Sequence, residues 1–323
     1  MNRFIVILFL LVYACPAKSQ YDLESKEKER MAKAKVKTQT QWTHDYTNGK
    51  PAEKGYKSSV TKYDTKGNPI EVSNYNEEGK IISLTVYQYD SKENKVNFER
   101  YQGNREKLQY SQKIVYDAKG YKTKEYGFDG VAMYSNTYQY DASGKLSEIS
   151  YTVGNALVEK RKLSYSGERV EIKVYNATNS LTVTQKNTYN DKNQLTEEIK
   201  TGSSSNIIHT MDFLYSTSGT LLEETKMRFG EKLDYKKTYT YDSASRLIKE
   251  ETTNLDGAKF VSHEYEYNNA GDLVVEKWIK NNRSKDLSTK KITYNSNGIY
   301  TEMLCYFATY KLFSLYKYTY EFY

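Results

Sequence analysis

Apolar and polar positions alternate with period two through most of the chain, in short runs cut by glycine and small polar residues. Thr238-Tyr239-Thr240-Tyr241 is representative. Such alternation sends successive side chains to opposite faces of a strand, and β-branched and aromatic residues favour that conformation. Two residues ahead of a recurring tyrosine stand Thr61, Tyr87, Ile114, Tyr138, Leu163, Asn187, Phe213, Tyr239, Tyr265, Ile292 and Tyr318, apolar or aromatic in nine of eleven cases. The residues between are mostly polar, as in Lys62, Gln88, Gln139, Thr188, Thr240, Glu266 and Thr319. One face is therefore aromatic and the other wet.

The strand pattern recurs with a turn attached. Tyr63-Asp64-Thr65-Lys66-Gly67 returns as Tyr89-Asp90, Tyr116-Asp117 with Gly120, and Tyr140-Asp141 with Gly144. Weaker copies at Tyr165 and Tyr189 follow, then Tyr215 with Gly219, Tyr241-Asp242, Tyr267 with Gly271, and Tyr294 with Gly298. Steps of 24 to 27 residues total 231 from Tyr63 to Tyr294, and one more step reaches Tyr320. The residue after the tyrosine suits the first position of a type I turn, where its side-chain oxygen accepts a backbone N–H two residues on. Glycine four residues after the tyrosine supplies the positive φ that closes such a hairpin. Asn193 is the next-best residue there, while Glu93 and Ser245 predict turns of different geometry. A second turn signal follows about twelve residues on, as in Asn76-Glu77-Glu78-Gly79, Asp129-Gly130 and Asp256-Gly257.

Each repeat is thus one β-hairpin, and ten repeats give about twenty strands of an all-β array over residues 43–323. At ~4.8 Å per strand a flat sheet of that size would extend roughly 95 Å, and open sheets rarely exceed about ten strands without curling. The expectation is a long sheet that curls or spirals so that the tyrosine face is covered; closure into a barrel is the other solution.

The N-terminus departs from this pattern. Arg3 precedes the apolar run Phe4–Tyr13, too short to span a bilayer and suited to a secretory signal peptide over residues 1–19. Cleavage after Ser19 follows the small residues Ala17 and Ser19. Alternatively Val12-Tyr13-Ala14-Cys15 forms a lipobox, with Cys15 lipidated and the chain held at a membrane. Residues 20–42 are rich in Glu, Lys, Ala and Met with a thin apolar stripe, predicting a charged leader that is a solvated helix or flexible.

Composition sharpens the picture in two ways. Hydrophobic residues make up 38% of the 323, and 34 of these residues are tyrosines, so tyrosine must supply much of what is buried. The net charge of +7 falls to +3 from Gln41 onward, with signs interspersed, which excludes the clustered basic surface of a nucleic-acid binder. His44, His209 and His263 have no metal-site or triad spacing and read as solvated or strand-surface side chains, Cys305 reads as a small buried hydrophobe, and the repeated aspartates read as turn caps. With no P-loop, nucleophile elbow or dinucleotide fingerprint, the expectation is a non-enzyme with no cofactor and no metal.

The unit Tyr140-Asp141-Ala142-Ser143-Gly144-Lys145-Leu146 resembles the YD repeats of Rhs-like and insecticidal-toxin proteins, over about residues 56–323. The resemblance implies a spiralling β-shell, sometimes around a toxic domain. Here the period is longer, and the arginine after the glycine survives only as Arg246. The reading is a secreted or cell-surface protein, structural or binding, whose partner is a cell-envelope glycan or protein. It meets no nucleic acid, and a membrane only through Cys15. The alternatives are a shell or accessory for a secreted effector, and an outer-membrane β-barrel suggested by the aromatic run Tyr316–Tyr323.

Overall fold

The computed structural model describes residues 18–47, 49–279 and 287–323. The predicted signal peptide, apart from Lys18 and Ser19, and Cys15, the alternative lipidation position, lie outside the described residues. A helix, α1 (Lys18–Lys33), leads into strands β1 (Val36–Thr47), β2 (Lys50–Pro51), β3 (Tyr56–Tyr63), β4 (Pro69–Tyr75), β5 (Ile81–Tyr89), β6 (Lys95–Gln102), β7 (Lys107–Tyr116) and β8 (Lys122–Phe128). The chain continues through β9 (Met133–Tyr140), β10 (Leu146–Val153), β11 (Ala156–Ser166), β12 (Arg169–Asn176), β13 (Leu181–Tyr189), β14 (Leu195–Gly202), β15 (Ile207–Tyr215) and β16 (Leu221–Arg228). It ends with β17 (Lys232–Tyr241), β18 (Leu247–Asn254), β19 (Lys259–Tyr267), β20 (Leu273–Trp278), β21 (Ser288–Tyr294), β22 (Tyr300–Phe307) and β23 (Leu312–Phe322).

From β3 onward each strand pairs antiparallel with the next. The array does not stay open. β1 pairs antiparallel with β3 on one side, from Thr38↔Lys62 to Thr43↔Tyr56, and with β23 on the other, from Thr38↔Glu321 to Asp45↔Ser314. The result is a closed barrel of 22 strands, with the two-residue β2 hung on the end of β1. This corrects the expected spiralling sheet. The strand that closes the wall begins at Val36, inside the segment assigned to the leader, and the 42/43 boundary cuts through it. Val36-Lys37-Thr38-Gln39-Thr40-Gln41-Trp42-Thr43 alternates but lacks the tyrosine of the repeats, so the repeat count passes over it. Closure removes both open edges, which a linear array of hairpins would have left unpaired.

Twenty-two strands at ~4.8 Å spacing give a circumference of roughly 105 Å before tilt, so the backbone cylinder is at least about 34 Å across. Among the described residues, side-chain hydrogen bonds and ring contacts join strands close together along the wall, or join the wall to α1, and none crosses the bore. The tyrosines therefore pack against their neighbours along the inner wall, where Tyr63, Tyr134 and Tyr138 are buried.

α1 settles which face is which. Lys28 reaches Glu93 in the β5–β6 turn (2.5 Å), and Arg30, two residues on, ion-pairs with Asp272 in the β19–β20 turn on the other side of the closure. One helix reaches both turns only from the concave side of the wall. The side chains it meets there, Tyr63, Tyr294, Tyr300 and Tyr320, mark the tyrosine face as the lumen. The segment read as a solvated helix or a flexible leader is a helix over most of its length, but a packed one and not a solvated one. Met31 is fully buried with Val36, Tyr63 and Ile299, and Glu27 accepts the Tyr300 hydroxyl (2.7 Å). A thin apolar stripe suffices because one methionine carries the contact. The helix ends where Lys35 takes a left-handed conformation (φ 53°).

Candidate binding surface

The predicted turn residues all lie at one end of the barrel. Asp64 Oδ1 accepts the backbone N–H groups of Lys66 and Asn68 (both 2.9 Å), while the Gly67 N–H donates to the Asp64 carbonyl (3.0 Å). Asp90, Asp141 and Asp242 repeat the double capping, and Asp117 accepts the Tyr121 N–H. Gly67, Gly120, Gly144, Gly219, Gly271 and Gly298 have positive φ. The turns at Glu93 (φ 66°) and Ser245 (φ 59°), expected to differ, close in the same way, each N–H donating to the aspartate carbonyl at 3.0 Å. The capping aspartate and the neighbouring ladder impose the conformation, and the non-glycine residue bears the strain. Arg246 ion-pairs with Asp242 (2.7 Å) and lies over the Tyr267 ring.

The repeat tyrosines do something that spacing did not reveal. The hydroxyls of Tyr89, Tyr140, Tyr165, Tyr215, Tyr267 and Tyr294 donate to the carbonyls of Pro69, Lys122, Leu146, Leu195, Leu247 and Leu273, at 2.8–3.1 Å. Each bond ties a strand to its neighbour at the end where no turn connects them. Tyr320 makes the same bond to Tyr300, and the Tyr323 hydroxyl spans the closure to the Tyr63 carbonyl.

Deeper in the lumen lies a belt that the sequence analysis missed. Glu125, Glu198, Glu224, Glu250 and Glu276 each stand nine residues after a repeat tyrosine, at the equivalent place in the hairpin. Each faces, across the ladder, the residue two before that tyrosine: Ile114, Asn187, Phe213, Tyr239 and Tyr265. The recurring offset was the available signal; it hid among the many polar residues of the second strand. Glu198 accepts from Gln185 Nε2 and meets His209 Nε2, both at 2.9 Å. Glu224 accepts the Tyr235 and Tyr239 hydroxyls, Glu250 accepts from Ser262 Oγ (2.8 Å) beside Lys237 and His263, and Glu276 pairs with Lys290. The fully buried Glu125 takes Lys122 and the Tyr138 hydroxyl.

Electrostatics follow from this packing. Burial opposes ionisation of Glu250, but the His263 imidazole 3.7 Å away, the Lys237 charge and the Ser262 hydroxyl outweigh it and hold its pKa down at about 2. Burial, reinforced by Glu224, pushes the Tyr235 and Tyr239 hydroxyls well above the usual tyrosine range. The histidines, read as solvated or strand-surface side chains, stand on strands β1, β15 and β19, none of them fully solvated. His209 and His263 stand in the belt, while His44 is buried with Nδ1 on the Ala52 carbonyl (2.8 Å). Cys305 is buried, and burial raises its thiol pKa. No cluster of three or more potential metal ligands occurs among the described residues.

The outer face contrasts with the lumen. Lys62–Glu71 (2.8 Å), Lys160–Glu148 (3.3 Å), Lys173–Glu171 (3.0 Å), Lys236–Glu223 (2.8 Å) and Lys249–Glu251 (3.2 Å) are ion pairs on the wet side of the strands.

No family model matches the chain, and no curated protein matches it, so membership of the YD-repeat family is not shown. Among solved structures, a porin-like protein from Bacteroides uniformis is similar at 15% identity, over 66% of this chain and 95% of that one, with a TM-score of 0.34. A porin-like protein from Bacteroides vulgatus is similar at 13% identity, over 88% and 98% of the two chains, with a TM-score of 0.21. The TcdB2-TccC3 structure lacking its hypervariable C-terminal region is similar at 10% identity, over 79% of this chain and 20% of that one, with a TM-score of 0.20.

Proposed function

We propose that the chain is a non-enzymatic barrel of the cell envelope whose lumen binds a glycan chain. The observation that carries this reading is the wall of the bore, where tyrosine rings alternate with hydrogen-bonded carboxylates, amides and imidazoles. Sugars present apolar ring faces for aromatic contact and hydroxyls that bond to carboxylates and amides, and this wall offers both kinds of group at short intervals. Calorimetric titration with envelope oligosaccharides tests it. Binding is expected, at least tenfold weaker in Glu224→Gln/Tyr239→Phe and unchanged in the outer-face variant Lys236→Gln. Absence of glycan binding, or equal loss in both variants, overturns the reading.

Closure of the wall favours a second reading, the outer-membrane barrel, over an open array. Against it stands the outer surface, because a lysine facing lipid at mid-bilayer costs about 2–4 kcal/mol and an outward apolar band is what such barrels present. Release from membranes by alkali without detergent supports the first reading; retention after Cys15→Ser supports the second.

A further inference from the structure

Glu198, Glu224, Glu250 and Glu276 stand 26 residues apart at every step, on β14, β16, β18 and β20. Rings recur at the same interval: Phe213, Tyr239 and Tyr265 face the last three carboxylates across the ladder. On the other side of those carboxylates the next hairpin places Lys237, His263 and Lys290. Ring, carboxylate and nitrogen base thus form one station, repeated three times, with Glu198 between Asn187 and Met211 as a ringless fourth. At the equivalent place elsewhere in the wall stand Val72, Phe98, Ile149 and Met303, and Glu125 is fully buried, so the row has two ends. The stations are open to a ligand, since Glu250, His263, Glu276 and Lys290 keep 13%, 32%, 21% and 27% of their side-chain surface exposed. Glu224 accepts the Tyr239 hydroxyl (3.3 Å) and so fixes the middle ring.

The step between stations follows from the ladder. Glu224 pairs with Lys237 and Lys237 with Thr252, two places from Glu250. Crossing two strands at ~4.8 Å and slipping two residues at ~3.4 Å gives about 12 Å at the backbone, and the concave wall draws inward side chains together to about 10 Å. We infer that the ligand is an extended β-1,4-linked glycan without net charge, lying along this row with one disaccharide at each station. This rests on the glycan reading of the lumen and narrows it to one class. In such a chain successive sugars face opposite ways, so every second sugar offers the wall the same face, and its disaccharide is as long as the step between rings. An α-1,4-linked chain coils and lacks that alternation. The carboxylates oppose a polyanionic chain, while the Lys237 and Lys290 ammonium groups beside Glu250 and Glu276 remove the attraction for a polycationic one.

Calorimetric titration with cello- and chito-oligosaccharides of two to six sugars, beside malto-oligosaccharides of the same lengths, tests the inference. Affinity for the β-linked series should rise roughly tenfold from two sugars to four and again from four to six, because each added contact forms within a complex already made. The change from four to five should be small, and the malto series should bind more weakly at every length. Tyr265→Leu removes the ring at one end of the row, so six sugars should bind as four do in the unaltered chain while two sugars lose little. Phe213→Leu should act alike from the other end, both variants being checked for unchanged β circular dichroism. Equal affinity for two and six sugars, or for α- and β-linked chains, overturns the inference and leaves the glycan reading standing. So does silence from the β-linked series where other envelope oligosaccharides bind; silence from every glycan overturns both.

Discussion

At position 245 a serine holds φ 59° in a turn where six other repeats place glycine. A left-handed conformation costs a residue with a Cβ about 1–2 kcal/mol, of which the flexibility of glycine in the unfolded chain returns a part. Ser245→Gly is therefore expected to stabilise the barrel by roughly 0.5–1 kcal/mol, seen as a higher urea midpoint with an unchanged slope. Glu93 occupies the same turn position but also pairs with Lys28 and Lys66, so the same exchange there removes a tie to α1 and should gain less. The tyrosine opening each turn has its own explanation. In six of the repeats its hydroxyl reaches a carbonyl on the neighbouring strand, so there the ring acts as a crosspiece between hairpins as well as an apolar surface.

α1 is the element whose contacts exceed what its sequence advertises. It touches hairpins on both sides of the closure, and the Cβ of any residue replacing Gly67 would lie 2.2 Å from the Lys28 carbonyl oxygen. Met31 is its anchor. Met31→Ala should cost about 2–5 kcal/mol, the usual range for emptying a buried methionine site. Because the helix packs on the turn ends and not on the ladder, the loss should show first as protease cleavage within residues 18–35, with strand content retained. Simultaneous loss of strand content would mean that α1 is required for closure itself.

The pH response belongs to the whole molecule, since the titrating groups are spread around the lumen. Glu250 has its folded pKa lowered to about 2, against roughly 4.3 for free glutamate. Its stabilising contribution is complete above the unfolded value and is lost as pH falls from about 4.3 towards 2. In Glu250→Gln the stability lost across that window should shrink. At the alkaline end, burial raises the hydroxyls of Tyr63, Tyr134, Tyr138 and Tyr239. Their contribution is complete below about pH 10 and declines as pH rises towards the folded values, because only the unfolded chain ionises them readily. Absorbance at 295 nm should show two classes of tyrosine, the later one ionising together with loss of circular dichroism. One uniform class titrating near pH 10 would contradict a crowded lumen.

The pattern along the chain was enough to define the hairpin. Period-two alternation is local, the Tyr-Asp-x-x-Gly turn is a five-residue event, and both leave their mark within the residues that form them. The two faces were legible for the same reason. Closure was not, because it depends on β1 meeting β3 and β23, and partners some 280 residues apart leave no periodic trace in a polar strand. The place of α1 escaped too, since one buried methionine does not make an amphipathic stripe. The glutamate belt lies between these cases. Its spacing was written in the sequence, but only the curvature of the closed wall turned a polar position on the tyrosine face into a row of inward carboxylates, four of them on the successive hairpins from β14 to β20, so the repeat came from sequence and the lumen from tertiary structure.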